Sequence, residues 1–444
     1  MGSILTRDGK DMWDLPRAVG RLTTGRMSAL ALPPGLENAE PDPEHTLTPG
    51  PGLLREARVW PGFAPHLGYG GLLSFLEREV PERLAVFAYD WRLSNRLSAA
   101  RLKVFVERRL AQWQERAAVQ YPGEEKPRVV YLCHSMGGLV ARYYIECLGG
   151  HETAETVVTI GTPYHGAPKA IRVLTGQMPW YVPNWLAERI RGVAGNFPSV
   201  AQLLPTYRVV RRLDNEAERL NTVSIPDLPT EAVRDAFDFH AEIEAARAAR
   251  RDAARAAGSG TPGDPIALGG GTHSTEHAVS LSAGKLRFHD RLDDRADWFG
   301  DGTVPGISAT PPELGDTGRT RWHPHRHTDL PNKRLVRDQL LKVCKALDLT
   351  DYLSDDVRID LQAPDFVPLG SPLEVTATAT DPILQIHARL SDSNGVAVAE
   401  TELLPDGDGS HRGSMIAPEG VWTLEVRSDS PRITHRDAVL VTDA

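Results

Sequence analysis

The rhythm of apolar and polar positions changes twice along the chain, near residue 57 and near residue 355. Residues 1–57 are rich in proline and glycine and show little periodicity. Beyond them, short apolar runs alternate with helical spacing. Arg58-Val59-Trp60 reads as a strand, Leu72 to Glu79 as a helix, and Leu84-Ala85-Val86-Phe87-Ala88-Tyr89 as a buried strand. An amphipathic helix is predicted from Ser98 to Tyr121. After it come the run Val129-Val130-Tyr131-Leu132, a turn, a second helical pattern, and the strand Thr156-Val157-Val158-Thr159-Ile160. This alternation predicts an α/β fold with a mostly parallel sheet covered by helices.

Residues 171–226 interrupt the alternation. Trp180, Tyr181, Trp185 and Phe197 stand among prolines and glycines there, a composition that suits an inserted lid better than sheet core. A helical stretch from about Glu231 to Ala257, rich in alanine, arginine and acidic residues, is expected to be a solvated helix. It ends in a Gly-Ser-Gly-Thr-Pro-Gly linker at 258–263. From Asp355 the period shortens. Leu384, Ile386, Ala388 and Leu390 alternate with polar positions, as do Trp422, Leu424 and Val426, with turn residues between the runs. That pattern predicts an immunoglobulin-like β-sandwich over 355–444.

A chain of 444 residues is long enough for more than one domain. The formal net charge of −9 argues against a nucleic-acid surface and against long-range attraction to anionic membranes, while leaving room for a local apolar contact with lipid. Cys133, Cys147 and Cys344 make no disulfide framework and have no metal-ligand spacing, so a reducing, cytoplasmic compartment is expected. No stretch is long enough to span a bilayer, and Met1 to Pro16 lack the apolar core of a signal peptide.

The most informative residue is Ser135, in Cys133-His134-Ser135-Met136-Gly137-Gly138 between an apolar strand and the helical Leu139–Tyr144. A strand, a small-residue turn and a helix raise a serine hydroxyl off the sheet, beside the first amides of the helix. This is the nucleophile elbow of the α/β-hydrolases, with Cys133 where the pattern usually has glycine. The plainer alternative is a serine in a helix-capping turn. A nucleophilic serine needs a base, and the base an orienting acid, in the order serine, acid, histidine. Asp301, in Gly300-Asp301-Gly302-Thr303-Val304-Pro305, fits the acid, although it also reads as a plain turn residue. His323, His325 and His327 alternate downstream, and residue chemistry alone does not choose among them.

Together these segments resemble the lecithin:cholesterol acyltransferase family, which includes lysosomal phospholipase A2 and phospholipid:diacylglycerol acyltransferases. The resemblance covers most of residues 1–345. Tyr89-Asp90-Trp91-Arg92 is similar to the family signature ahead of the nucleophile, and His134-Ser135-Met136-Gly137 to its elbow. Ile160-Gly161-Thr162-Pro163-Tyr164-His165-Gly166-Ala167-Pro168 resembles the strand end leading into the lid, and Phe197-Pro198-Ser199-Val200 with Leu203-Leu204-Pro205 the stretch that closes it. Gly300-Asp301-Gly302-Thr303-Val304 matches the acid motif, and His327 best fits the histidine that precedes the last helix.

The resemblance implies an α/β-hydrolase domain over 1–350 with a lid at about 171–226, and acyl transfer through Ser135, His327 and Asp301. It implies a lipid or other hydrophobic ester as substrate, contact with a lipid interface, and no metal or organic cofactor. The Met136 amide would be one oxyanion donor. Phe63, after Pro61-Gly62, is a second candidate donor, and Trp180 and Tyr181 are candidates for substrate contact. Met1-Gly2-Ser3-Ile4-Leu5 resembles the back half of the family's oxyanion loop, whose strand would lie upstream, so Met1 is expected to be an internal methionine. Asp90, Trp91 and Arg92 are expected to form a structural ion pair and packing cluster. The competing readings are a non-catalytic binding protein that has lost its oxyanion strand, and an esterase for a small soluble substrate. The sequence names no protein partner for residues 355–444.

Overall fold

The β-branched run ahead of Ser135 forms a strand of the parallel sheet on which the first three quarters of the chain are organised. The computed structural model describes residues 2–7, 10–13, 30–32, 47–55, 68–120, 127–179, 182, 184–211, 217–258, 264–282, 284–291, 299–315, 320–345, 359–364, 366–379, 384–392, 396–406, 410–429 and 432–442. In chain order, β1 (Ser3–Arg7), β2 (Lys10–Trp13) and β3 (Thr48–Leu53) pair antiparallel in the order β2-β1-β3. Helices α1 (Gly70–Glu79) and α2 (Asn95–Gln120) follow. Strand β4 (Val129–His134) leads into α3 (Met136–Cys147), and β5 (Ala154–Ile160) into α4 (Pro168–Thr175) and α5 (Asn184–Ala194). The short strands β6 (Val210–Arg211) and β7 (Ala217–Glu218) precede the long α6 (Thr230–Ala256). Then come β8 (Ile266–Gly270), β9 (Ala278–Ser282), β10 (Lys285–His289), β11 (Arg321–His323) and α7 (Arg334–Cys344).

Four strands form a wholly parallel sheet in the order β11-β8-β5-β4. All four C-terminal ends therefore lie along one edge, the edge at which open α/β sheets bind ligands. The predicted strand at 84–89 is not one: residues 84–90 join no ladder. Among the described residues β4 pairs only with β5. A cavity of about 910 Å³ is lined by Val86, Phe87 and Tyr89 and also by Val129, Tyr131 and Cys133. Phe87 and Tyr89 pack on the cluster of Tyr131 and Cys133. The expected strand at Arg58-Val59-Trp60 lies outside the described residues.

Helix α6 is not simply solvated. Val233, Ala236, Phe239 and Ile243 are buried along one face, and Phe239 and Ile243 pack on Leu139 of α3. Charge closes the same interface. Arg142 of α3 pairs with Glu313 and with Glu244 of α6 at 3.0 Å. Arg247 of α6 reaches Glu313 at 3.0 Å, Asp264 at 2.7 Å and Glu146 at 3.3 Å. Within 171–226 the described Ile171, Leu186, Ile190, Phe197 and Leu204 join the core cluster that also holds Leu5, Trp91 and Met136. Asp90 and Arg92 form the expected buried pair, Arg92 Nη2 to Asp90 Oδ2 at 2.7 Å, while Trp91 packs edge-on against Phe197.

The chain ends in β12 (Ile359–Gln362), β13 (Phe366–Pro368), β14 (Leu373–Ala379), β15 (Ile386–Ser391), β16 (Ala397–Pro405), β17 (Ser410–Met415), β18 (Gly420–Asp429) and β19 (Arg432–Thr442). They run β12-β14-β17-β16-β15-β18-β19-β13, antiparallel except for β13 on β19. Leu384, Ile386, Ala388, Leu390, Leu424 and Val426, the alternating positions of the sequence, all fall in one buried cluster. No helix among the described residues is long and apolar enough to cross a membrane.

Candidate active site

Ser135 stands where β4 gives way to α3, with φ 56° and ψ −132°. Only it and Asp227 among the described non-glycine residues have positive φ. Such a conformation persists only where neighbours hold it. The Ser135 amide donates to the Ile160 carbonyl at 2.9 Å, and the Ser135 carbonyl accepts from the Gly138 amide at 2.9 Å and the Thr162 hydroxyl at 3.0 Å. A Cβ on Gly138 would overlap Thr162, so the small residue there lets α3 pass close to the end of β5. Met136 opens α3, and its amide belongs to the first turn, whose donors no helical carbonyl satisfies.

His327 and Asp301 arrive from two loops at the same edge. His327 Nε2 lies 2.8 Å from Ser135 Oγ, and its Nδ1 lies 2.7 Å from Asp301 Oδ2. The Asp301 side chain is fully buried. Its Oδ1 accepts from the amides of Thr303 at 2.9 Å and Val304 at 2.7 Å, leaving Oδ2 for the imidazole. The His327 amide donates to the Asp301 carbonyl at 2.9 Å, which ties the two loops together. With the carboxylate accepting from Nδ1–H, Nε2 is the free lone pair and accepts from the serine hydroxyl. Gly161, at φ +55°, lies under this contact; a Cβ there would stand 2.9 Å from Asp301 Oδ2 and 3.0 Å from His327 Nδ1.

The other two histidines of the alternating run go elsewhere. His323 Nε2 meets Gln339 Oε1 at 3.2 Å, and burial lowers its pKa to about 4. The His325 carbonyl lies against Gly270. Phe63, Trp180 and Tyr181 lie outside the described residues. Gly2 and Ser3, from the segment similar to an oxyanion loop, line the cavity that reaches Ser135. The Ser3 hydroxyl accepts from the Tyr89 amide at 3.0 Å.

His134 has a larger part than its place in the elbow suggests. Its Nε2–H donates to the His327 carbonyl at 2.9 Å, and its Nδ1 accepts from the Tyr69 hydroxyl at 2.7 Å. Burial, and then the nearby His327, hold its pKa well below 6.5, so it stays neutral while it supports the loop. Tyr69 has no signal in its own segment; 65 residues separate it from His134. The Cys133 thiol, in the position usual for glycine, is pushed up to about 12 by burial and remains a packing group. Lys169, at the start of α4, lines the same cavity and donates to Thr303 Oγ1 at 3.4 Å. Among the described residues no cluster of His, Cys, Asp or Glu has the spacing of a metal site.

The family model described as Lecithin:cholesterol acyltransferase matches residues 79–237, which include the elbow and its flanking helices. Over that stretch the chain is similar to this family. That likeness supports acyltransferase- or lipase-type chemistry in general. No curated protein matches it. Solved structures similar to it include the Tle4–Tli4 complex, with 17% identity over 60% of this chain and 68% of that one, at a TM-score of 0.45. Bacillus licheniformis lipase BlEst2 in its propeptide form is 15% identical over 78% of this chain and 63% of that one, at a TM-score of 0.29. The sulfur carrier protein SoxY from Chlorobium limicola f thiosulfatophilum is 22% identical over 19% of this chain and 78% of that one, at a TM-score of 0.15. Similarity of this order says nothing about activity.

Proposed function

We propose that the chain catalyses serine-dependent acyl transfer on a lipid or other hydrophobic ester, with Ser135 as nucleophile, His327 as base and Asp301 as orienting acid. The observation that carries this reading is the unbroken hydrogen-bonded relay from Ser135 Oγ through both nitrogens of His327 to Asp301 Oδ2. His327 takes the serine proton as Oγ attacks the ester carbonyl, and Asp301 holds the imidazole in the tautomer that leaves Nε2 free. The Met136 amide faces the developing oxyanion, a contact whose loss costs about a hundredfold or more in rate. The leaving alcohol takes its proton from His327, and water or an alcohol acceptor then removes the acyl group. The reading invokes no metal or organic cofactor.

Support for a hydrophobic ester comes from the family and from the cavity at Ser135, whose walls include Leu72, Leu76, Phe105 and Val140. Within the same reading, residues 1–350 are an α/β-hydrolase domain with a lid at about 171–226, and residues 355–444 an immunoglobulin-like β-sandwich. The three free cysteines favour a reducing, cytoplasmic compartment.

A fluorophosphonate probe, with peptide mass spectrometry to locate the label, tests the mechanism. Labelling at Ser135 that disappears in His327→Ala is the expected result. A folded protein that stays unlabelled would instead favour a non-catalytic binding protein. Turnover of short soluble esters with no gain on lipid aggregates would make it a small-substrate esterase.

A further inference from the structure

Strand β19 departs from its own alternation. Val439 and Val441 are buried in the apolar cluster of the C-terminal strands, and Asp437 shares their parity, opposite the buried Leu424 of β18. A carboxylate at a core-facing position is costly unless it is paired. The Ala438 amide donates to its Oδ1 at 3.0 Å. Its Oδ2 meets Arg326 Nη2 at 2.6 Å, and the carboxylate side chain is only 2% exposed.

The arginine belongs to the other part of the molecule and directly precedes His327. Its carbonyl accepts from the amides of Asp329 at 3.0 Å and Leu330 at 3.1 Å, closing the turn that carries His327. On the acid side, its Nη1 lies 3.6 Å from where a Cβ on Gly302 would stand. The guanidinium thus sits against both the acid loop and β19. A second contact falls nearby: Gln362 Nε2 donates to Ser274 Oγ at 3.4 Å, next to His273, which bridges Gly300 and Asp301. Both contacts from the C-terminal strands land on the acid–base end of the relay.

We propose that Asp437, acting through Arg326, is a positioning residue for His327, so that the C-terminal strands brace the acid–base loops. Exposed ion pairs hold little. This carboxylate is shut away from water, so it fixes its partner's guanidinium and with it the backbone from which His327 projects. The proposal rests on His327 being the base.

Its test compares full-length wild type, Asp437→Asn, Asp437→Glu, Arg326→Gln and the double variant Asp437→Asn/Arg326→Gln, each shown by circular dichroism to be folded. Hydrogen exchange is followed in peptides spanning 322–334, and kcat and KM are measured on a soluble short-chain ester. Asp437→Asn is expected to speed exchange in that segment and to lower kcat about tenfold or more with KM little changed. Asp437→Glu should recover part of both, and the double variant should be no worse than the worse single one. Unchanged exchange there, or a loss confined to melting temperature with kcat intact, overturns the proposal. An inert wild type sinks the catalytic reading instead, and the exchange data then decide the brace alone. Should Asp437→Asn fail to fold, Arg326→Gln, which truncates the more exposed partner, carries the same two readouts.

Discussion

At the residue scale the site depends on a few positions where a side chain is missing as much as on those where one is present. Gly161 is the sharpest case. Replacing it by alanine puts a methyl group within 3.0 Å of His327 Nδ1 and 2.9 Å of Asp301 Oδ2, the two atoms whose contact orients the imidazole. Gly161→Ala is expected to lower kcat/KM on a soluble ester by about a hundredfold. The positive φ there adds about 1–3 kcal/mol of strain, so the variant should stay folded with a lowered melting temperature. A variant as active as wild type would show that the relay tolerates being pushed apart. Ser135 and Asp301 are legible in the sequence because each sits in a motif whose small residues are demanded by backbone crowding. His327 is less so, since three histidines alternate and only the tertiary fold turns one toward Ser135. Tyr69 is not legible at all, because its partner is remote in sequence.

At the scale of elements, the helix predicted to be solvated turns out to be tied down by charge. Arg247 on α6 is 4% exposed and serves Glu146, Glu313 and Asp264, with Glu313 shared by Arg142 of α3. Removing Arg247 takes one of two cationic partners from each of the buried Glu313 and Glu146, which keep Arg142 and Arg250, so Arg247→Ala should destabilise the fold by about 1.5–3 kcal/mol. A urea midpoint within error of wild type would refute this. The helix was misjudged because its arginines and acids look like surface residues when their partners on other elements are out of view. The strand expected at 84–89 failed for a different reason. An apolar run marks burial, but a strand also needs a neighbouring backbone in register, and residues 84–90 join no ladder. The C-terminal strands were legible because strict alternation with turn residues leaves little choice of face.

At the scale of the whole molecule, buried histidines make the fold sensitive to acid. His165, His240 and His323 are each lowered by burial to about 4, and His134 and His277 are lowered too. Unfolded, these groups take up protons near their ordinary 6.5. Between about pH 6.5 and about 4 the unfolded chain therefore binds more protons than the folded one, and stability falls as the pH is lowered through that window. Thermal melts should show a lower midpoint at about pH 5 than at about pH 7; equal midpoints would mean that the imidazoles are already protonated in the fold. The overall division into a parallel α/β part and a β part was readable from the change of period near residue 355. The contact between the two parts was not, because Asp437 and Arg326 each look like ordinary surface charges in sequence. The cavity beside β4 has a consequence of another kind. The pocket of about 910 Å³ beside the strand that leads to Ser135 is space that water can enter. An apolar chain lodging there would return that water to bulk, so its binding should carry a negative heat-capacity change, read by titration calorimetry at several temperatures.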